Sequence, residues 1–253
     1  MIYEIADITE KIKSLFEGWD ETLVYSCLQQ VMGKIFVDDK NDPKSAYAYV
    51  GCFAFYVGVP NKELVLNKPE GFVIMIPINE EWGKLIEDCF PDAKKVTRYA
   101  IRKDTVFNKE LLQDTVNMLP DGYELKRING SLYDLCLEDP VTEDFVSSFE
   151  SKEDYIDKGR GIVILKDGKI VAGASSYTRY NEGIEIEVDT RPEERRKHLA
   201  MIACSKLILN CLEEGLYPSW DAQNTNSVKL AEKLGYQFAR EYVAYEVSGG
   251  IDV

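Results

Sequence analysis

Histidine is almost absent from this chain: among 253 residues only His198 carries an imidazole. The six cysteines, Cys27, Cys52, Cys89, Cys136, Cys204 and Cys211, are scattered and include no Cys-x-x-Cys pair. This spacing gives neither a zinc site nor a disulfide framework, and cysteines in apolar segments act as small hydrophobes. No metal is expected. Long hydrophobic runs are also missing, and the longest fall far short of the ~20 residues of a membrane span. The opening MIYEIADITEKI has no basic region followed by an apolar run, so no signal peptide is expected. Basic charge is in deficit, with 30 Lys and Arg against 44 Asp and Glu, a formal net charge of -14. That balance argues against a general nucleic-acid binder, which needs a basic face for phosphates. It suits a cationic acceptor, and it equally serves solubility. The expectation is a reduced, soluble, cytoplasmic protein with no membrane and no nucleic-acid partner.

What is present is a hydrophobic fraction of 45%, spread over both halves of the chain. Three- and four-residue apolar spacing predicts helical structure through ITEKIKSLFEGWDETLVYSCLQQVMGKIFVD, broken at Gly18. SAYAYVGCFAFYVGVP reads as one or two buried strands turning near Gly51. GFVIMIPI is a strand, and NEEWGKLIEDCF a helix with Asn79 as N-cap. KKVTRYAIRKD and NKELLQDTVNMLP follow as strand and helix. Asp121-Gly122 is a turn signal and places a boundary between 1–120 and 121–253. Beyond it, helices lead to a hairpin turning at Asp167-Gly168, then to the alternating strand GIEIEVDT. EERRKHLAMIACSKLILNCLEEG reads as one long helix, YPSWDAQ as a strand, NTNSVKLAEKLGY as a helix and FAREYVAYEV as the last strand. The fold class is α/β (α+β), a mixed central sheet with helices on both faces. The first part has a similar, weaker order, as a degenerate copy of the same unit would.

Within this acidic chain, TRPEERRKHLA concentrates Arg191, Arg195, Arg196, Lys197 and His198 between a strand and a helix. A strand feeding a helix leaves backbone N–H groups free, and the helix dipole adds partial positive charge. The two together favour an anion, above all a phosphate. Basic residues in a first helical turn oppose the dipole, a local conflict typical of functional sites. A solvated basic turn paired with nearby acids fits the same pattern.

RRKHLA resembles the Arg/Gln-x-x-Gly-x-Gly/Ala pyrophosphate loop of GNAT-superfamily acyltransferases. Arg195 stands at its first position, His198 at the usual Gly and Ala200 at the last, with Pro192 upstream. NTNSVKLAEKLGY is similar to the closing signature of that superfamily, matched at Asn224, Ser227, Lys233, Leu234, Gly235 and Tyr236. The resemblance runs from about Tyr123 to Val247, and WDAQNTNSVKLAEKLGY further resembles the branch with zwittermicin-resistance-type acetyltransferases. It implies a GNAT-like C-terminal domain beside a smaller α/β N-terminal domain. It also implies acetyl-CoA as co-substrate and an amine of a small molecule or peptide as acceptor. The pantetheine arm would lie along Val188, Asp189 and Thr190. The pyrophosphate would lie on Arg195, Arg196, Lys197, His198, Leu199 and Ala200, with Asn224 and Ser227 nearby. Two departures stand out: His198 and Arg196 replace frequent glycines, and Ala231 stands where many members carry the Tyr that protonates the departing thiolate.

An acceptor amine must lose a proton to attack, which calls for a general base. The period of the strand puts Glu185 and Glu187 on one face and Ile184, Ile186 and Val188 on the other. The two carboxylates suit base catalysis, with Glu187 the first candidate, or the holding of a cationic acceptor; an ordinary solvent face fits too. Asp221 offers another carboxylate, while Trp220 beside it reads as packing. A CoA-binding sensor or an interaction protein is the alternative to an enzyme.

Overall fold

The first strand, β1 (Tyr3–Ile5), leads into helices α1 (Glu10–Leu15) and α2 (Thr22–Leu28). They are separate helices because Gly18 sits at φ +89°, through which a right-handed helix does not continue. A meander follows: β2 (Lys34–Val37), β3 (Ser45–Val50) and β4 (Phe53–Gly58). The helical periodicity read through Val37 is corrected here. Ile35 and Val37 are buried alternately with the outer residues of KIFV, and the segment pairs with β3 as a strand. Helix α3 (Lys62–Leu66), β5 (Val73–Pro77), α4 (Glu80–Cys89) and β6 (Lys94–Ile101) complete the first half. Asn79 caps α4 by accepting the Trp82 N–H.

The second half begins with α5 (Lys109–Asn117), β7 (Tyr123–Arg127), α6 (Gly130–Leu137) and α7 (Lys152–Lys158). A hairpin of β8 (Gly161–Lys166) and β9 (Lys169–Tyr180) follows. Asp167 and Gly168 at its turn both have positive φ, +50° and +78°, as a type I′ turn requires. Next come β10 (Gly183–Thr190), α8 (Leu199–Glu213), β11 (Tyr217–Ser219), β12 (Asp221–Ala222), α9 (Thr225–Lys233) and β13 (Phe238–Val247).

In this computed structural model, which describes residues 1–249, the chain forms two compact units. One comprises Met1–Arg98 and the segment from Glu241; the other is Tyr99–Arg240. In the first, β1 to β5 lie side by side in chain order, and β13 adds antiparallel to β5 through Tyr245↔Met75. Its core gathers Tyr47, Tyr56, Met75, Trp82 and Tyr245. In the second, β7 to β11 lie side by side in chain order, while β12 pairs antiparallel with β6 through Asp221↔Ala100. Its core packs Ile162, Ile164, Ile184 and Ile186 against Ile202, Leu207 and Ile208 of α8. The Asp121-Gly122 turn lies inside this second unit, between α5 and β7.

The order of elements recurs along the chain. From β1 to β6 it runs strand, two helices, three strands, helix, strand, helix, strand, and from β7 to β13 it runs the same way. The second time, the strand between the last two helices is broken into β11 and β12. Among the described residues no helix is long and apolar enough to cross a membrane.

Candidate active site

The site starts where two strands part. β10 and β11 are parallel and pair at Gly183↔Tyr217, Ile184↔Pro218 and Glu185↔Ser219. There the pairing ends. After Trp220 the chain continues as β12, which takes β6 as its partner, so YPSWDAQ is two strands in two sheets. On its other edge β10 stays paired with β9 as far as Thr190↔Ala172. Ile186 to Thr190 therefore form an edge that β11 has left. Close approach sets the start of the pairing: a Cβ on Gly183 would collide with the Tyr217 carbonyl oxygen and the Tyr180 hydroxyl.

The loop after β10 differs from the expected long helix. Pro192–Glu194 form a short 3₁₀ turn, and α8 begins only at Leu199. Arg195, Arg196 and Lys197 thus precede the helix, and their conflict with its dipole is relieved. Arg196 and His198 both adopt the left-handed region, at φ +65° and +63°. His198 is the N-cap residue of α8, but its side chain makes no capping bond. The first amide held by the helix is that of Ile202, donating to His198 O at 3.0 Å. From Arg196 through Met201 the backbone N–H groups meet no acceptor among the described residues. Buried Leu199, Ile202, Ala203, Leu207 and Ile208 fix the helix behind this run, each large aliphatic side chain contributing about 1.5–3 kcal/mol.

The basic side chains divide their tasks. Arg191 anchors the loop: its Nε donates to Ile170 O at 2.6 Å and its guanidinium pairs with Asp139. Arg191 holds the Asp139 carboxyl below its usual range. Lys197 donates to Glu194 Oε2 at 2.7 Å and to the Tyr123 hydroxyl at 3.3 Å. Glu194 also accepts from Tyr123, at 2.5 Å, and from Lys166, at 3.2 Å. With Lys197 foremost, then the Tyr123 hydroxyl, these donors hold its carboxyl down to about 2. Arg195 donates to Thr190 O at 3.1 Å and lies 3.9 Å from Asp189. Arg196 has no ion-pair partner among the described residues.

Loop, open edge and α9 enclose a cavity of about 570 Å³. Val188, Asp189 and Thr190 line it from β10, Arg195, Arg196 and His198 from the loop, and Leu199 and Ala200 from the start of α8. Asn224 and Ser227 line it from α9. Most residues assigned to the cofactor from the sequence are therefore together, while the Lys197 side chain is engaged with Glu194. Glu194, Met201, Gln223, Asn226, Lys229 and Leu230 also line the cavity, and sequence reasoning missed them. For Lys229 the available signal was its four-residue spacing to Lys233, which lines the cavity too. Asn224 has a structural task as well: its Oδ1 accepts the N–H groups of Asn226 and Ser227, each at 3.0 Å, and caps α9. Ser227 Oγ accepts the Trp220 indole N–H at 3.0 Å, and Trp220 packs in the core.

Phosphate-bearing ligands fit this donor set. Thr190 is only 9% exposed, and its Oγ1 has no hydrogen-bond partner among the described residues. An orphaned hydroxyl lining a cavity is a group that a ligand can satisfy. Free amides from Arg196 to Met201 and the Arg196 guanidinium are donors suited to an anion, and of the carboxylates lining the cavity Asp189 lies 3.9 Å from Arg195 while Glu194 is paired with Lys166 and Lys197.

On β10 the two faces separate as alternation requires. Ile184 and Ile186 join the core under α8, while Glu185 and Glu187 lie opposite Thr178 and Ser175 of β9. Glu185 sits at the last paired position before the strands part and is 5% exposed. In register beside it are Thr178 and Ser219; Thr178 Oγ1 has no partner among the described residues, and Ser219 Oγ lies 3.0 Å from the Tyr180 hydroxyl. Burial pushes the Tyr180 phenol up to about 12, so it remains protonated at neutral pH. Glu187, two residues on, is half-buried and accepts the Val188 N–H at 3.1 Å. Neither glutamate lines the cavity. Asp221 lies on β12. Ala231 is buried in the core, so α9 presents no hydroxyl there.

The corresponding passage of the first unit is built differently. β4 and β5 remain paired from Phe53↔Ile74 to Tyr56↔Pro77. Helix α3 is capped by Asn61, whose Oδ1 accepts the Glu63 and Leu64 N–H groups. An acid, Glu63, occupies its first turn.

A family model described as GNAT acetyltransferase matches residues 13–245. The N-terminal half is thus part of the match, which extends well beyond the stretch from Tyr123. Among solved structures, a GCN5-related N-acetyltransferase-like protein from Streptococcus suis 89/1591 is 44% identical, with a TM-score of 0.89 over 93% of this chain and 96% of that one. The uncharacterized N-acetyltransferase YdfB of Bacillus subtilis (strain 168) is 25% identical over 95% of this chain and 98% of its own. A tandem GNAT protein from the clavulanic acid biosynthesis pathway shares the fold, with a TM-score of 0.51 at 12% identity, over 87% of this chain and 84% of that one.

Proposed function

Since the chain belongs to the GNAT acetyltransferase family, as an N-acetyltransferase, we propose that it transfers the acetyl group of acetyl-CoA to an amine of a small molecule or peptide. The observation that carries this reading is the parting of β10 from β11 beside a run of unpaired backbone amides. Acetyl-CoA supplies the activated acetyl thioester. The amine nitrogen bonds to its carbonyl carbon, the C–S bond breaks, and CoA leaves as a thiolate that takes its proton from solvent; the chain's own residues bind, orient and deprotonate.

The amides from Arg196 to Met201 receive the pyrophosphate, aided by Arg196, while Val188, Asp189 and Thr190 form the edge along which the pantetheine arm extends. Arg195, tied to Thr190 O and near Asp189, keeps loop and edge together. Glu187 takes the proton of the acceptor amine, directly or through water. Its half-exposed position at the open edge supports that role, since a base must exchange protons with what it serves. Glu185, buried beside Thr178 and Ser219, holds the acceptor. The chain's acidity suits a cationic acceptor in its approach.

Two measurements test the reading. Acetyl-CoA should raise the melting temperature, and thiol should be released when a panel of amines is offered. Glu187→Gln should lower turnover by about 10²–10⁴-fold with acetyl-CoA affinity nearly unchanged. Glu185→Gln should act mainly on the acceptor's KM. Full turnover in Glu187→Gln alongside a collapse in Glu185→Gln would reverse the two roles.

A further inference from the structure

The hold on the loop before α8 comes from outside the cavity. Tyr123 and Lys166 do not line it. They stand directly opposite each other in the antiparallel pair of β7 with β8, so both side chains leave the sheet on one face. The Lys166 ammonium lies 5.2 Å from the centre of the Tyr123 ring. From this one cross-strand position both reach the same carboxylate. Lys166 donates to Glu194 Oε1 at 3.2 Å, and the Tyr123 hydroxyl donates to Glu194 Oε2 at 2.5 Å. Glu194 is only 7% exposed, and a carboxylate so buried must be met by donors. Lys197 closes the arrangement, donating to Glu194 Oε2 at 2.7 Å and to the Tyr123 hydroxyl at 3.3 Å. Glu194 and Lys197 bracket Arg195 and Arg196. Inside the bracket Arg196 holds φ +65°, in a region that disfavours residues with a Cβ. The left-handed turn is therefore held by its two ends, both fixed to paired strands, against the preference of its own residue type.

We propose that Tyr123 and Lys166 are positioning residues, a cross-strand clamp on Glu194 that holds the loop in its amide-exposing conformation before the co-substrate arrives. The proposal rests on the acetyl-CoA reading above. Both residues act through Glu194 and take no part in the chemistry. Their effect is preorganisation: a loop already in place loses no further freedom when the ligand binds.

Tyr123→Phe keeps the ring beside Lys166 and removes only the hydroxyl, and two measurements on the full chain read the result. The first needs no ligand. In a timed trypsin digest with mass mapping, cleavage after Arg195, Arg196 and Lys197 reports how often the loop opens. It should quicken about tenfold in Tyr123→Phe, the scale of a lost hydrogen bond to a charged group. Adding Lys166→Gln should quicken it further. Cleavage after Lys40, in an exposed bend of the other unit, should stay at the wild-type rate. The second measurement is calorimetric titration with acetyl-CoA, whose affinity should fall about tenfold in Tyr123→Phe. In an Arg196→Gly background, where the left-handed turn no longer needs holding, the same change should cost no more than about threefold. Lys126→Gln, on the other face of β7 and paired with Glu124, should move neither measurement. Unchanged loop cleavage in Tyr123→Phe overturns the clamp, whatever the ligand. So does a full tenfold cost in the Arg196→Gly background, because the clamp would then be independent of the strained turn. Loop-selective cleavage in a chain that does not bind acetyl-CoA would remove the acetyl-CoA reading and leave the clamp on the loop upheld.

Discussion

His198 and Arg196 occupy backbone conformations that cost a residue with a Cβ about 1–2 kcal/mol. Glycine at either position should remove that cost, less the extra entropy glycine loses on folding. His198→Gly and Arg196→Gly should each therefore stabilise the fold by up to ~1 kcal/mol in urea denaturation. Their binding behaviour should diverge. His198→Gly should leave acetyl-CoA affinity equal or better, whereas Arg196→Gly should weaken it about tenfold through loss of a charge-assisted contact. A fall in affinity for His198→Gly would mean that the imidazole itself donates to phosphate. Glu194 gives a pH prediction. Its folded value, about 2, lies below the ordinary 4.5, so the folded protein binds its proton less readily than the unfolded chain. The stability it contributes is fully present above about pH 4.5 and disappears as pH falls toward 2. Glu194→Gln should accordingly be less stable than wild type at pH 7, with the gap closing across that window. A gap independent of pH would show that the charge of Glu194, with Lys197 and Lys166, does not hold the loop.

Helix α9 and the junction of β10 with β11 each depend on one residue. Helix α9 starts at Asn224, whose side chain satisfies two of its otherwise free amides. Asn224→Ala should cost ~1 kcal/mol of stability, as N-cap losses do, and should lower acetyl-CoA affinity by loosening that wall of the cavity. Asn224→Ser should restore most of the stability, since serine caps nearly as well. The junction of β10 and β11 depends on Gly183, where even a methyl group meets Tyr217 and Tyr180. Gly183→Ala should cost about 1–3 kcal/mol, the usual penalty for overpacking. It should also raise the acceptor's KM, because Glu185 and Ser219 pair at the same junction. Unfolding curves and steady-state kinetics on the two variants would reveal either effect.

Across the described residues the same succession of elements occurs twice, but the two copies differ where the last strand of each meander passes into a helix. In Tyr99–Arg240 a strand pair parts and a loop of left-handed residues leaves its amides free. In the unit containing Met1–Arg98, the corresponding strands stay paired and the helix start is closed by Asn61 with an acid in its first turn. Titration with acetyl-CoA should therefore give a stoichiometry of one per chain. A value near two would assign a site to the first unit that its capped α3 does not offer.

From the sequence alone the fold class, the basic strand-to-helix loop and the carboxylate-bearing strand were legible, because each is a local pattern. Alternation put Glu185 and Glu187 opposite Ile184 and Ile186, and the strand-to-helix passage at Arg195–Ala200 announced unpaired amides. Asn79 was readable as a cap from its place before a periodic segment. Other decisions required the folded chain. KIFV has too few residues for periodicity to distinguish strand from helix, and its pairing with β3 decided the matter. The start of α8 at Leu199 depended on positive φ at Arg196 and His198, a conformation that no propensity assigns to those residue types. YPSWDAQ divided into two strands because Ser219 and Asp221 take partners from different sheets. The tasks of the basic cluster were also beyond sequence, since Arg191 finds Asp139 and Lys197 finds Tyr123 only through long-range packing. Composition sets how much charge a chain carries. Which charges meet across the fold, here Arg191 with Asp139 and Lys166 with Glu194, is decided by the distances between residues far apart in sequence.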